Sequence, residues 1–268
     1  MKFQPQLWSS IAELSTVLGV PSIQEQVETH DEHRFQHLQF KIGQYIYRNG
    51  QDFESLYIVN SGFLKTITLN DLNSDQVTSF PMRGDALGID AIYNKKYTSD
   101  AIALTPCNII VIPYTKLQFV LGKDADFDGL FITMMSRELA LKQSHLCLLG
   151  SSGSEVRIAQ FLIRLGTRYG DLGYSSRVFE LRMTRHEIGS YLGLTLETVS
   201  RTLSKFQDYG WITVSHRQIN INAWHSLEMT RKPFLRAPKN KREQALRAMF
   251  SSENKETMPK TPNQYHFI

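Results

Sequence analysis

The chain contains 268 residues, enough for one large domain or two ordinary ones with a buried core. It is 41% hydrophobic and 21% charged, as globular proteins are, and no apolar run approaches the roughly 18 residues that a membrane helix needs. The two cysteines, Cys107 and Cys147, cannot build a disulfide framework or a cysteine-rich metal site. We therefore expect a cytoplasmic protein without a membrane partner.

Positive charge is concentrated at the C-terminal end of the chain. The segment 223–268 holds nine Lys/Arg and four Asp/Glu, a net charge of +5, whereas the whole chain carries +4, so residues 1–222 carry −1. A basic extension can reach toward phosphates or other anionic surfaces, and it can equally be a solvated tail. The composition does not choose between the two.

The N-terminal half changes from a helical to a β-rich pattern. An apolar stripe from Leu7 to Leu18 predicts a helix within the segment 1–34. Between residues 35 and 123, short runs of β-branched and aromatic residues alternate with Gly, Asn and Asp turns, which is typical of a β-barrel or sandwich. These runs are QYIY, SLYIV, FLKTITL, QVTSF, DAIAL and NIIVI.

A long helix is predicted over 124–150. Apolar residues recur there at spacings of about three and four positions, a pattern that suits a connecting spine or a dimer seam. The residues expected on the dimer face are Phe127, Phe131, Met134, Leu141 and Leu148. The sequence LGSSGS then interrupts the pattern and predicts a hinge.

The segment 151–222 is expected to form a second domain. After a helix over EVRIAQFLIRLGTRYG, Thr184 and Glu187 have the Thr-x-x-Glu spacing of a capping box. A short helix should therefore run from Arg185 to about Leu192.

A second helix should follow at once. Gly193 suits a tight turn, and Thr195 can cap a helix that stops at Gly210. The segment WITVSHRQINI then predicts two strands around a polar turn. Two helices joined by a glycine turn and followed by a hairpin predict a winged helix-turn-helix.

The second helix carries a polar face that suits recognition of DNA. Glu197, Ser200 and Arg201 lie at i, i+3 and i+4, so they share one side of the helix, in the part that enters the major groove. Arg can bind guanine with two donors, Glu can accept from the cytosine amino group, and Ser can pair with either kind of edge. The expected phosphate contacts, which position a domain without reading sequence, are Thr184, Arg185, Thr195, Thr198 and Lys205.

The segment MTRHEIGSYLGLTLETVSRTLSKFQDYGWI resembles the helix-turn-helix of the CRP/FNR family of bacterial transcription regulators, and of its FNR/FixK branch in particular. Upstream, GQYIYRNGQDFESLYIVNSGFLKTITL and GDALGIDAI are similar to the β-roll of that family. The resemblance implies an α+β fold with an N-terminal cyclic-nucleotide-binding-type β-roll, a long dimerisation helix and a C-terminal winged helix-turn-helix. It also implies a homodimer on double-stranded DNA, at a TTGAT-N4-ATCAA-type palindrome read by helices about 34–36 Å apart.

The sequence has few of the residues with which the family binds its cofactors. The oxygen sensors of the branch hold an iron–sulfur cluster with four cysteines, whereas residues 1–106 contain none and only Cys107 lies where a β-roll cysteine would lie. The cAMP-binding branch uses a Glu and an Arg where this sequence has Ile89 and Tyr97, so a cyclic phosphate would be poorly neutralised. We therefore expect neither group.

Three histidines are spaced so that their side chains could bind a ligand together. His30, His33 and His37 could line one helical face and bind a transition metal or haem, or they could be a histidine-rich polar surface. We assign no metal to them. The alternative of an effector-dependent regulator, with an unidentified ligand in the β-roll or the histidine-rich segment, stays open.

The remaining expectations concern activity and partners. The sequence has no catalytic triad, phosphate-binding glycine loop or supported carboxylate pair, so we expect no enzyme activity. RNA polymerase is an expected partner, with Asp71 and Asp75 as contacts by analogy with the activating loops of the family.

Overall fold

The computed structural model of the chain describes residues 8–20, 34–69, 75–150 and 153–230. Within these ranges the chain forms twelve strands and eight helices. None of those helices is both long enough and apolar enough to cross a membrane.

The N-terminal segment contributes a strand as well as a helix. Strand β1 (Trp8–Ser9) pairs antiparallel with β2 (Phe35–Phe40), so it belongs to the sheet of the following domain. Helix α1 (Ile11–Leu18) begins later than the apolar stripe predicts, because Ser10 caps it. The Ser10 hydroxyl accepts from the Glu13 N–H at 3.2 Å, and the Glu13 carboxylate accepts from the Ser10 N–H at 3.0 Å.

Two antiparallel sheets form the predicted β-rich domain. Its further elements are β3 (Tyr45–Tyr47), β4 (Ser55–Ser61), β5 (Leu64–Leu69), β6 (Asp75–Ser79), β7 (Ala86–Leu87), α2 (Ala91–Asn94), β8 (Asp100–Ala103), β9 (Cys107–Pro113) and α3 (Tyr114–Val120). One sheet has the order β1–β2–β9–β4–β7 and the other the order β3–β8–β5–β6. In the register of β4 with β9, Leu56 lies opposite Ile112 and Ile58 opposite Ile110. All four side chains are buried, and they form the centre of the core.

Helix α4 (Ala125–Leu149) leaves this domain and reaches the next. Asp124 caps it by accepting from the N–H groups of Asp126 at 3.0 Å and Phe127 at 2.9 Å. Phe127 and Met134 pack into the core of the β-domain, whereas Leu148 packs into the core of the C-terminal domain. The helix is therefore shared between two cores.

Three of the five residues expected on the dimer face need correction, whereas the other two, Phe131 and Leu141, stay predictions. Phe127, Met134 and Leu148 are buried within their own chain, and Phe131 and Leu141 are half-buried. A side chain that fills the core of its own subunit is unavailable to a second copy. The exposed apolar side chains of α4 are instead Ile132, Met135, Leu139 and Leu146.

The C-terminal domain packs four helices and a small sheet around one core. Its elements are α5 (Ser154–Asp171), β10 (Val178–Glu180), α6 (Arg185–Leu192), α7 (Leu196–Asp208), β11 (Ile212–Ser215), β12 (Gln218–Ile221) and α8 (Trp224–Met229). The sheet order is β10–β12–β11, so β10 adds a third strand to the predicted hairpin.

The predicted boundary at residue 222 is too early. Helix α8 packs against α5, and its Leu227 is fully buried in the domain core. The residues up to Thr230 therefore belong to this domain. The rest of the expected basic extension, 231–268, lies outside the described residues.

A buried carboxylate connects the two domains. Asp85, which is 5% exposed, lies in the turn before β7 and contacts Arg168 of α5 at 2.5 Å. Arg137 of α4 approaches the same carboxylate at 3.7 Å and also donates to the Leu18 carbonyl at the end of α1. A buried charge needs such partners, so Asp85 holds the β-domain, α4 and the C-terminal domain together.

Candidate nucleic-acid interface

The first helix of the helix-turn-helix is α6, and its predicted capping box is present. The Thr184 hydroxyl accepts from the Glu187 N–H at 3.1 Å, and the Glu187 carboxylate accepts from the Thr184 N–H at 2.7 Å. Burial raises the pKa of Glu187, but hydrogen bonds from Lys65 and Thr184 outweigh it and hold that pKa below its ordinary value. The carboxylate is therefore ionised at neutral pH.

A tight turn brings α6 against α7. Gly193 has φ +62° and ψ 43°, the left-handed conformation that glycine adopts without strain. A Cβ on Gly189 would lie 2.6 Å from the Leu194 carbonyl oxygen, so the first helix needs glycine at this close approach. Arg157 of α5 supports the turn by donating to the carbonyls of Leu192 at 3.0 Å and Gly193 at 3.4 Å.

The second helix, α7, separates its apolar side chains from its polar ones. Thr195 caps it by accepting from the Thr198 N–H at 3.2 Å, as predicted. Val199, Leu203 and Phe206 are buried beneath it. This burial fixes which side of the helix faces solvent.

The three predicted reading side chains lie on or beside that outer face. Glu197 and Arg201 are exposed, and Ser200 is half-buried. Arg185, at the start of α6, donates to the Ser200 hydroxyl at 3.3 Å, so it connects the two helices. Hydrogen bonds from its own backbone N–H and from Thr195 lower the pKa of Glu197, which keeps the carboxylate an acceptor.

The predicted phosphate contacts differ in availability. Thr184, Arg185 and Thr195 are exposed, and Thr198 is half-buried with its hydroxyl 3.0 Å from that of Thr195. The fifth, Lys205, is an ion-pair partner of Glu155 in α5, with 2.5 Å between ammonium and carboxylate. A phosphate at Lys205 would therefore compete with a carboxylate of the same chain.

Two further exposed features of the surface carry no predicted role. The tip of the β11–β12 hairpin carries His216 and Arg217, both exposed, and the polar turn in the sequence indicates this tip. Leu196 is 43% exposed at the start of α7 and lies four positions before Ser200, hence on the same side. An exposed leucine at that point of a reading helix suits the methyl group of thymine.

Aromatic side chains fill the interior of the β-domain around Tyr97, the residue expected from the sequence at the place of the arginine of a cyclic-nucleotide site. Tyr97 is 1% exposed, its ring stacks on Tyr47 at 4.0 Å, and Phe53 packs edge-on at 5.7 Å. The Tyr97 hydroxyl donates to the Ser55 carbonyl at 2.7 Å. Tyr97 is thus committed to the core.

The cysteines and histidines show no shared site in the described ranges. Cys107 is buried in β9, where desolvation raises the pKa of its thiol, and Cys147 is exposed on α4. Groups of three or more potential metal ligands are absent from the part of the chain that the structure describes. His37 lies between Ser9 and Asn108, at 2.7 Å from each, whereas His30 and His33 lie outside the described residues.

A cleft of about 1210 Å³ opens between the β-domain, α4 and the C-terminal domain. Three of the exposed apolar residues of α4, Ile132, Met135 and Leu139, form part of its wall. The Glu138 carboxylate in this wall pairs with Lys142 at 3.4 Å. The wall is largely apolar, and it also contains the ion pair between Asp85 and Arg168.

Two family models match the chain. The one described as a Crp-like helix-turn-helix domain matches residues 156–230, and the one described as a cyclic nucleotide-binding domain matches residues 37–124. The first match includes α8, in agreement with the domain boundary of the structure.

Relatives resemble most of the chain. Regulatory protein HlyX of Actinobacillus pleuropneumoniae is 39% identical over 184 residues, which cover 69% of this chain and 77% of that protein. The fumarate and nitrate reduction regulatory protein of Vibrio cholerae is 38% identical over 179 residues, which cover 67% and 72% respectively. Among solved structures, FixK2 from Bradyrhizobium japonicum matches with a TM-score of 0.65 and 27% identity, over 73% of this chain and 96% of that one.

Proposed function

The chain belongs to the CRP/FNR family of transcription regulators, and from this membership we propose that it binds a TTGAT-N4-ATCAA-type palindrome as a homodimer. The observation that carries the proposal is the outer face of α7, where Glu197 and Arg201 project into solvent from a helix held by a capped partner, a glycine turn and a packed core. Such a face enters a major groove without rearrangement of the domain.

Each reading side chain has a distinct proposed role. Arg201 donates two hydrogen bonds to the guanine of the half-site, and Glu197 accepts from a cytosine amino group. Ser200 contacts a base edge beside them, and Leu196 packs against a thymine methyl group. The half-site sequence supplies all three kinds of partner.

Contacts to the DNA backbone position this face. We assign them to the exposed start of α6, Thr184 and Arg185, to the cap of α7, Thr195 and Thr198, and to Lys205 once it leaves Glu155. His216 and Arg217 extend the contact at the tip of the hairpin. Each cation that reaches a phosphate adds to the salt dependence of binding.

The homodimer is proposed to form through α4. Ile132, Met135, Leu139 and Leu146 recur at spacings of three, four and seven positions, which suits a coiled-coil seam, and all are exposed in the single chain. Leu139→Glu should convert the dimer to a monomer in analytical ultracentrifugation. Thr133→Glu, on the flank of the same helix, is the matched control and should leave the dimer intact. A dimeric Leu139→Glu variant would exclude this seam.

The proposed regulator acts without an iron–sulfur cluster or cAMP. The absence of cysteine before Cys107 and the commitment of Tyr97 to the aromatic core support this. The apolar cleft favours a second candidate, in which an unidentified effector occupies the cleft and changes the arrangement of the dimer.

RNA polymerase is a proposed partner, and the cytoplasm is the proposed location. Of the two acidic residues named for the polymerase, Asp75 begins β6, whereas Asp71 lies outside the described residues.

One experiment separates these possibilities. The purified protein, with its metal content measured, is incubated with a random pool of duplex DNA, and the bound sequences are selected. Recovery of the palindrome at nanomolar protein without additives supports the effector-independent regulator. Recovery only after addition of a cell extract favours the effector-dependent candidate, and selection of no consensus in either case would refute the proposed function.

A further inference from the structure

The edge of the β-domain nearest to α6 is closed by a side chain of the C-terminal domain. Among the strands that the structure describes, β6 is the outermost of its sheet, so one of its edges has no strand partner there. The Ser190 hydroxyl accepts from the Val77 N–H at 2.9 Å and donates to the Asp75 carbonyl at 3.2 Å. The Gln76 side-chain amide donates to the Ser190 carbonyl. Because free strand edges need hydrogen-bond partners, Ser190 fastens α6 to β6.

A second contact lies beside the first. The Lys65 ammonium on β5 donates to the Glu187 carboxylate at 2.7 Å, and the two side chains are 22% and 14% exposed. The other oxygen of this carboxylate accepts from Thr184. Lys65 therefore binds the carboxylate that caps α6, at the end of the helix proposed to meet a DNA phosphate.

These contacts leave the reading face free. Glu187 and Ser190 point toward the β-domain, whereas Glu197 and Arg201 on α7 remain exposed. The contact thus does not block the proposed DNA surface. It fixes the direction in which that surface points relative to the β-domain and α4.

We infer that Lys65 and Ser190 are positioning residues for DNA binding, which set the separation of the two reading helices by holding each α6 against β5 and β6. The inference rests on the proposed dimer and its palindrome. In such a dimer each reading helix is placed by its own subunit. A helix that can pivot tolerates several half-site spacings, whereas a fastened one selects a single spacing.

The test measures the preference for spacing. Full-length wild type, Ser190→Ala and Lys65→Met are titrated by fluorescence anisotropy with palindromes that contain three, four, five or six central base pairs, and with an isolated half-site. The ratio of the affinity for the best spacing to the affinity for the other spacings should fall about five- to tenfold in each variant. This is the factor that the loss of one net hydrogen bond produces. Affinity for the half-site should not change, because neither residue reads DNA.

Controls separate positioning from other effects. Lys65→Arg keeps the charge and should keep the spacing preference, and Lys96→Met removes an exposed charge of the β-domain elsewhere and should behave as wild type. An unchanged spacing preference in Ser190→Ala and Lys65→Met would overturn the inference. It would also be overturned if half-site affinity and melting temperature fell together, or if the variants bound every spacing more tightly. A wild type that binds no palindrome would instead refute the proposed function.

Discussion

Replacement of Arg201 by alanine is the most direct test of the reading face. Arg201 is exposed, and within the described residues it forms no hydrogen bond or ion pair with another side chain. The substitution should therefore change the free energy of unfolding by no more than about 0.5 kcal/mol. Any larger effect on DNA binding then comes from the contact with DNA.

The expected loss follows from the number of contacts. One bidentate arginine–guanine pair is worth about 1–3 kcal/mol of discrimination, and a dimer makes two of them. Arg201→Ala should therefore weaken binding to the palindrome by about 2–6 kcal/mol, or roughly 30-fold to more than 10,000-fold. The half-site guanine should lose its preference over the other three bases.

The assay is a cycle of protein and DNA variants. Wild type and Arg201→Ala are titrated against the palindrome and against duplexes in which both half-site guanines are replaced. If Arg201 reads that guanine, the two changes together should cost little more than either alone. Arg201→Lys keeps the charge but not the planar fork, so it should retain the salt dependence without the guanine preference. An Arg201→Ala variant that still prefers guanine at that position would refute the assigned role.

Three further predictions test packing, electrostatics and pH. Gly189→Ala should lower the free energy of unfolding, measured in urea, by about 1–3 kcal/mol, because the new Cβ would lie 2.6 Å from a backbone oxygen. In the control Gly129→Ala, the new Cβ meets nothing within 4 Å, so this variant should raise the free energy of unfolding by up to about 1 kcal/mol. Equal effects would contradict the packing argument. Glu155→Gln should release Lys205 and strengthen binding to all DNA sequences alike. A plot of the logarithm of the binding constant against the logarithm of the salt concentration should become steeper by roughly 0.9 for each phosphate contacted. An unchanged slope would show that Lys205 reaches no phosphate. Burial lowers the pKa of His145 below its ordinary value of 6.5, so the neutral form is favoured in the folded state and stability is lost as pH falls below about 6.5. His145→Gln should flatten this part of the pH profile measured by urea unfolding, and parallel profiles would exclude the contribution.

The helix-turn-helix could be predicted from sequence because its signals are local. The cap of α6 depends on two residues three positions apart, and the turn depends on Gly193. Helix geometry determines which backbone groups these residues cap, and this does not depend on the tertiary contacts of the chain. The observed helix α6, Arg185–Leu192, accordingly has the predicted bounds.

The faces of α4 could not be assigned in the same way. Apolar residues lie on more than one side of this helix, and its period does not say which side meets the β-domain and which meets a partner. Phe127 and Met134 suit a seam as well as a core, and only the placement of the sheet decides. The pairing of Lys65 with Glu187 joins residues 122 positions apart, so no local pattern announces it.

The shared packing of α4 has a consequence for how the chain unfolds. This one helix supplies Phe127 and Met134 to the core of the β-domain and Leu148 to the core of the C-terminal domain. Unfolding of either domain therefore removes a buried contact from its neighbour. The two domains should therefore denature in a single calorimetric transition. A fragment that starts after residue 150 would lack the side chain of Leu148 and carry a cavity in its place, so proteolytic separation of the domains should leave a DNA-binding half that melts at a lower temperature.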